Sequence, residues 1–159
     1  AVEADLELGG LRLQKATIQT GASDTSIRIS RPNPLTCSTA RFEVGAAKFE
    51  AEGLGNLNCE DLSFSGGVGD VSLDFTGNWR TDGTVDIDMG LGSLTLRLPR
   101  GLGVSVHKTS VLASFDSQGL IKRGQVYYSE GFDKADRKLN INIDAALGSI
   151  KVLWVESRN

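Results

Sequence analysis

A glycine-centred motif recurs at nearly constant spacing, and this repeat constrains the fold more than any other feature of the sequence. The marker glycines are Gly21, Gly45, Gly67 and Gly90, which lie 24, 22 and 23 residues apart. A fixed period of about 20–50 residues is typical of proteins in which one supersecondary unit stacks on the next. The clearest units read Gly67-Val-Gly-Asp-Val-Ser-Leu-Asp-Phe75, Gly90-Leu-Gly-Ser-Leu-Thr-Leu-Arg-Leu98 and Ala146-Leu-Gly-Ser-Ile-Lys-Val-Leu-Trp154.

On both sides of each glycine turn, apolar residues alternate with polar ones. The apolar sets after the turns are Val71, Leu73 and Phe75, then Leu94, Leu96 and Leu98, then Ile150, Val152 and Trp154. The sets before the turns are Ala40, Phe42 and Val44, then Leu62 and Phe64, then Val85, Ile87 and Met89, then Ile141, Ile143 and Ala145. A period of two predicts strands with one buried face and one solvated face.

Two packings fit a unit of strand, glycine turn and strand: consecutive hairpins in a meander or sandwich, and coils of a β-solenoid stacked in register. The solenoid is favoured because equivalent positions match in residue type, as Phe42, Phe64 and Ile87 do. An outward column of opposite charges also matches, made of Arg28, Glu52, Asp74 and Arg97. We therefore predict one all-β repeat domain over residues 1–159.

The two cysteines have the same phase in the repeat. Cys37 and Cys59 are 22 residues apart, and each stands eight residues before its marker glycine. Stacked coils would place them about 4.8 Å apart, within the range that a disulfide accepts. A disulfide would indicate an oxidising compartment; the alternative is two small buried thiols.

The segment from Gly101 to Lys138 interrupts the repeat and is predicted to add an irregular coil. It contains an aromatic group, Tyr127, Tyr128 and Phe132, beside the cations Lys134, Arg137 and Lys138. Aromatic and cationic side chains together are common in binding surfaces. The alternative is that these residues cap the open end of the stack.

The remaining residue types argue against most chemistry. The net charge is -3, which speaks against a nucleic-acid partner. The one histidine, His107, lies on an outward phase, and two cysteines without close spacing do not predict a zinc site. The outward carboxylates Glu43, Asp88 and Asp144 are interrupted by Ser65, which disfavours calcium or glycosidase chemistry. We predict no catalytic, metal or cofactor site.

Several of these segments also resemble a known superfamily. Gly69-Asp-Val-Ser-Leu, Gly92-Ser-Leu-Thr-Leu-Arg-Leu-Pro99, the Tyr127-Tyr128 loop and Lys138-Leu-Asn-Ile-Asn-Ile resemble the toast-rack superfamily, and more narrowly the C-terminal domain of LiaF-type cell-envelope proteins. The likeness extends over residues 66–159, with looser repeats in 1–65. It implies a single-stranded, right-handed β-solenoid-like stack and an extracytoplasmic or membrane-associated setting in bacteria, where LiaF-type members regulate an envelope-stress system without catalysis.

The sequence therefore predicts a non-catalytic binding or regulatory module at the bacterial cell surface, in the periplasm or secreted. Its partner is expected to be a protein or a cell-wall component, and a membrane tether before Ala1 remains open. One alternative is a structural, adhesin-like protein that self-associates through its open ends. A less favoured alternative is an enzyme acting on polysaccharide.

Overall fold

The computed structural model describes residues 2–21, 23–116 and 119–155. The strands, numbered along the chain, are β1 Val2–Glu7, β2 Lys15–Thr20, β3 Ser23–Arg28, β4 Cys37–Glu52, β5 Cys59–Asp74, β6 Gly83–Pro99, β7 Gly103–Asp116, β8 Leu120–Arg123, β9 Val126–Ser129 and β10 Lys138–Val155. Two short 3₁₀ turns, Leu54–Leu57 and Phe132–Lys134, complete the elements. The predicted all-β stacked fold is confirmed. None of the described helical turns is long and apolar enough to cross a membrane.

Each long strand doubles back on itself and encloses the core between two arms. Phe42 and Phe49 belong to the same strand, β4, and an extended chain would separate them by about 23 Å. Their ring centroids nevertheless lie 6.0 Å apart, so the strand must bend between them. We call the part before the bend the first arm and the part after it the second arm. Apolar side chains of both arms point inward and are buried.

The bend is built from glycine because successive coils approach closely there. Gly92 and Gly148 have φ angles of +142° and +137°, which side chains rarely adopt. A Cβ on Gly92 would lie well under 3.0 Å from the carbonyl oxygen of Gly69, and one on Gly148 would meet Gly92 in the same way. In register, Gly69, Gly92 and Gly148 form a ladder, and the neighbouring backbone leaves no room for a side chain at Gly92 or Gly148.

The coils stack as parallel strands in the predicted register. Phe42 pairs with Phe64, and Phe64 pairs with Ile87, so one inward column runs through three coils. On the outside, Arg28 faces Glu52 with a nitrogen–oxygen distance of 3.5 Å. Both of these side chains are exposed, so the pair contributes at most about 1 kcal/mol.

The order of the strands departs most from the order of the chain at the last strand. The sheet runs β1-β3-β4-β5-β6-β10-β7-β9-β8, with β2 paired to β4. The last strand, β10, therefore lies between β6 and β7, and the segment predicted to be an irregular coil supplies a regular strand at the end. Ile143 of β10 occupies the inward column between Ile87 and Lys108. An interior coil needs an apolar residue such as Ile143 in this column. At the end of the stack the column can hold Lys108, whose ammonium lies 5.6 Å from the ring centroid of Phe115.

The cysteines occupy adjacent coils. Cys37 pairs with Cys59 in register, with 4.2 Å between their Cα atoms, and the two buried side chains form a disulfide. The bond ties the start of β4 to the start of β5.

We expect Gly92→Ala to lower the free energy of unfolding by about 3 kcal/mol or more, because it adds backbone strain to a collision with the neighbouring coil. The matched control is Gly21→Ala, since a Cβ at Gly21 meets nothing within 4 Å. That control should change stability by less than about 0.5 kcal/mol. Urea unfolding measures both, and equal effects would contradict the ladder.

Removing the disulfide should be costly because it closes a loop with a sequence separation of 22. The double variant Cys37→Ala, Cys59→Ala should lose about 3 kcal/mol of unfolding free energy. Wild-type protein in reductant should approach the stability of this variant. A thiol titration shows when the disulfide is completely reduced. If the denaturant midpoint of the reduced wild type is then unchanged, the expectation is wrong.

Candidate partner-binding surface

The aromatic segment folds into a hairpin that extends the first arm at the β7 end of the stack. β8 and β9 pair antiparallel across the two-residue turn Gly124-Gln125, and β9 pairs antiparallel with β7. In this register Tyr128 lies opposite Ser105, and Tyr127 lies opposite Val106. Because successive side chains on a strand point to opposite faces, the side chains of Tyr127 and Tyr128 lie on opposite faces of the hairpin.

Tyr127 is on the inner side of the hairpin. Its partner Val106 is fully buried, and Tyr127 itself packs against the hydrophobic core. Its ring meets the ring of Phe115 edge to face, with centroids 4.8 Å apart, and the Lys122 ammonium lies 5.8 Å from its centroid. Tyr127 therefore covers the end of the core.

Tyr128 is on the outer side and belongs to a half-exposed aromatic pair. Its ring centroid lies 5.0 Å from that of Phe132 in an edge-to-face arrangement. The Arg123 guanidinium stands 5.2 Å from the Tyr128 centroid, and the Lys138 ammonium stands 5.3 Å from the Phe132 centroid. Ile121, opposite Tyr128, is 54% exposed. We call these five side chains the outer hairpin surface.

The sequence-based grouping of this segment is only partly reproduced. Lys134 and Arg137 are exposed, and Arg137 donates a hydrogen bond to the carbonyl oxygen of Asp136. The cations placed on the outer rings are Lys138, which belongs to the predicted group, and Arg123, which does not. Arg123 also approaches Asp133 at 3.8 Å, between two exposed side chains. The missed signal was the two-residue turn, which brings Arg123 and Ile121 onto the face of Tyr128.

One hydrogen bond fixes the hairpin to the stack, and a second one holds β7, the strand against which the hairpin pairs. The buried backbone N–H of Val104 donates to Ser129 Oγ at 2.8 Å. The Ser105 hydroxyl donates to Asn140 Oδ1 at 2.6 Å and joins β7 to β10. Buried polar groups with satisfied partners specify one arrangement, so the outer rings stand on a rigid base.

A shallow polar groove of about 370 Å³ lies on the outside of the first arm. Its lining includes Asp86, Asp88, Asn142, Asp144 and the exposed His107. Asn142 donates to Asp86 at 3.0 Å, whereas Asp88 and Asp144 face each other in register with like charges. Over the described ranges, no cluster of three or more histidine, cysteine or acidic side chains is arranged to hold a metal ion.

The Asp88–Asp144 pair should weaken the sheet slightly, because like charges directly opposite on neighbouring strands repel. We expect Asp144→Asn to raise the unfolding free energy by up to about 1 kcal/mol at low ionic strength, and by less in high salt. Asp86→Asn is the control, since Asp86 already accepts a hydrogen bond from its cross-strand neighbour Asn142. Thermal unfolding at two salt concentrations measures the effect, and a destabilised Asp144→Asn protein would contradict it.

Comparison with solved structures supports the fold over almost the whole chain. A protein from Clostridium sporogenes, provisionally assigned as a cell adhesion protein, superimposes with a TM-score of 0.63 at 19% identity. The match covers 97% of this chain and 92% of that one. At this level of identity the likeness concerns the fold alone.

Comparison by sequence identifies the family. No curated protein matches the chain. The family model described as "Cell wall-active antibiotics response LiaF, C-terminal" matches residues 49–152, which is more than half of the chain. That stretch contains the glycine ladder, the outer hairpin surface and most of β10. The chain belongs to the family of LiaF-like C-terminal domains, whose description connects it to the bacterial cell envelope.

Proposed function

We propose that this chain is a non-catalytic, extracytoplasmic binding module of the bacterial cell envelope, and that it contacts a protein partner through the outer hairpin surface. The observation that carries the proposal is the half-exposed pair Tyr128 and Phe132, each with a cation over its ring. The family description supports a role in the response to cell-wall-active antibiotics.

The chemistry of this surface favours a protein partner over a sugar. Aromatic residues and arginine dominate the energetics of protein interfaces, and Ile121 adds an exposed aliphatic side chain beside them. Carbohydrate stacking needs an open ring face, and here Arg123 and Lys138 cover faces of the two rings. A partner that offers apolar and acidic side chains would complement this surface.

The disulfide supports the proposed location outside the cytoplasm. Disulfides persist in oxidising compartments and are rare where thiols are kept reduced. Cys37 and Cys59 are buried and bonded, so the bridge acts as a staple within the stack. The rigidity that results suits a platform for contacts.

The test is site-specific photo-crosslinking in a solubilised envelope extract. A benzophenone amino acid is placed at Ile121 on the outer hairpin surface, and at Asp70, exposed on the second arm, as the positional control. We expect a discrete crosslinked protein from position 121 and none from position 70. The double variant Tyr128→Ala, Phe132→Ala should reduce that product more than about tenfold, as the loss of an aromatic hot spot does.

A variant with Asp144→Asn controls for unrelated surface changes and should crosslink like the wild type. Circular dichroism must show that the aromatic double variant is folded. Equal crosslinking at both positions, or an unchanged product in the folded double variant, would refute the proposal. Co-sedimentation with purified peptidoglycan that depends on Tyr128 and Phe132 would replace the protein partner by a cell-wall polymer.

A further inference from the structure

β1 and β8 are the two ends of the main strand order and lie at opposite ends of the stack, whereas β2, which pairs with β4, is a further end strand whose sequence Lys-Ala-Thr-Ile-Gln-Thr has no acidic residue. Within the described ranges, β1 pairs only with β3 and β8 pairs only with β9, so each has one edge without a strand partner. An open edge presents a row of backbone N–H and C=O groups that can accept another strand. Neither strand contains proline, which commonly protects such edges.

The open edges of β1 and β8 carry opposite charges. The β1 sequence Val-Glu-Ala-Asp-Leu-Glu alternates apolar and acidic residues. The β8 sequence Leu-Ile-Lys-Arg combines apolar and cationic residues, and Asp5, Lys122 and Arg123 are exposed. Each edge also has an exposed large apolar side chain, Leu6 at 38% and Ile121 at 54%. Edge charges usually oppose self-pairing, but charges of opposite sign at the two ends favour it.

β1 is held in place by a specific contact at its end. Glu7 Oε1 accepts hydrogen bonds from the backbone N–H of Ser30 at 3.0 Å and from that of Gly9 at 2.7 Å. These bonds, above all the one from Ser30, lower the pKa of Glu7 below its usual value. The carboxylate thus stays ionised and bonded through neutral and mildly acidic pH, and the acidic edge is preformed.

We propose that the open edge of β8 in one copy pairs with the open edge of β1 in a second copy, so that chains join head to tail. Both partners of this contact are present in every chain, and their charges and exposed apolar residues are complementary. The contact is heterologous, and such contacts give open-ended assemblies unless the rotation closes a ring. It runs along the backbone edge of β8, which Ile121 and Arg123 of the outer hairpin surface border, and it goes beyond the proposed function because the partner is a second copy of this chain.

β8 has four residues, which limits the new ladder to a few hydrogen bonds. We therefore expect weak association that depends on concentration and on salt. Opposite charges at an exposed contact are screened as ionic strength rises from about 0.05 M to about 0.5 M. The average mass should consequently rise with protein concentration at low salt and fall at high salt.

Sedimentation velocity on the full chain tests the contact by charge reversal. Asp5→Lys and Lys122→Glu should each reduce association at low salt to near the monomer. A 1:1 mixture of the two variants should restore it, because the reversed β1 of one then faces the reversed β8 of the other. The double variant Asp5→Lys, Lys122→Glu should associate by itself. A structural defect in either strand would not be rescued in this way.

Two controls carry the same changes of charge away from the edges. Asp88→Lys and Lys151→Glu alter exposed positions within the stack and should associate like the wild type. A wild-type monomer at every concentration up to about 1 mM would overturn the proposal. It would equally fail if association stops at a symmetric dimer, or if the mixture of variants remains monomeric. Photo-crosslinking from position 121 to a protein other than this chain can succeed or fail whatever the sedimentation result. The proposed function is therefore tested separately.

Discussion

The close approach of successive coils at their corners is the constraint on which this structure depends. At Gly92 and Gly148 the backbone of the neighbouring coil occupies the space where a side chain would lie. A shift by one residue would bring a side chain into that space and would also turn the buried face outward. The corner therefore fixes the register of both arms at once. The pairing of Phe42 with Phe64 in the inward column and the disulfide between Cys37 and Cys59 both depend on that register.

Much of the fold could be predicted because each coil repeats the same information. The period of two predicts strands, and the spacing of about 22 residues predicts which residues share a column. The register of Phe42 with Phe64, and of Cys37 with Cys59, agrees with that prediction. The position of β10 could not be predicted, because the alternation within a strand does not specify which strand lies beside it. β7 differs from β6 and β10 at Lys108, which occupies a column that is apolar in the interior coils, and at Ala113, which pairs with Gly148.

The candidate surface was harder to predict than the stack. Aromatic content singled out this segment, and Tyr127, Tyr128 and Phe132 were treated there as one cluster. Their division depends on the register of a hairpin whose two-residue turn, Gly124-Gln125, was not recognised in the sequence. The same turn brings Arg123 over Tyr128, a contact between residues five positions apart that neither strand periodicity nor composition predicts. The positions of single side chains on an irregular connection depend on which strands pair in the folded protein, whereas the repeat can be recognised from the local pattern of residues.

This hairpin can be both a cap and a contact surface, because its inner face covers the core and its outer face is exposed. An exposed stack end must cover its core, and Tyr127 does so by packing on Phe115. Alternation along β9 then obliges the next residue, Tyr128, to point outward. Any aromatic pair of neighbours in such a strand covers the core with one ring and exposes the other. Covering the end of the stack therefore also places an aromatic ring on the outer face of the hairpin. The cations Arg123 and Lys138 lie over the outer rings of Tyr128 and Phe132.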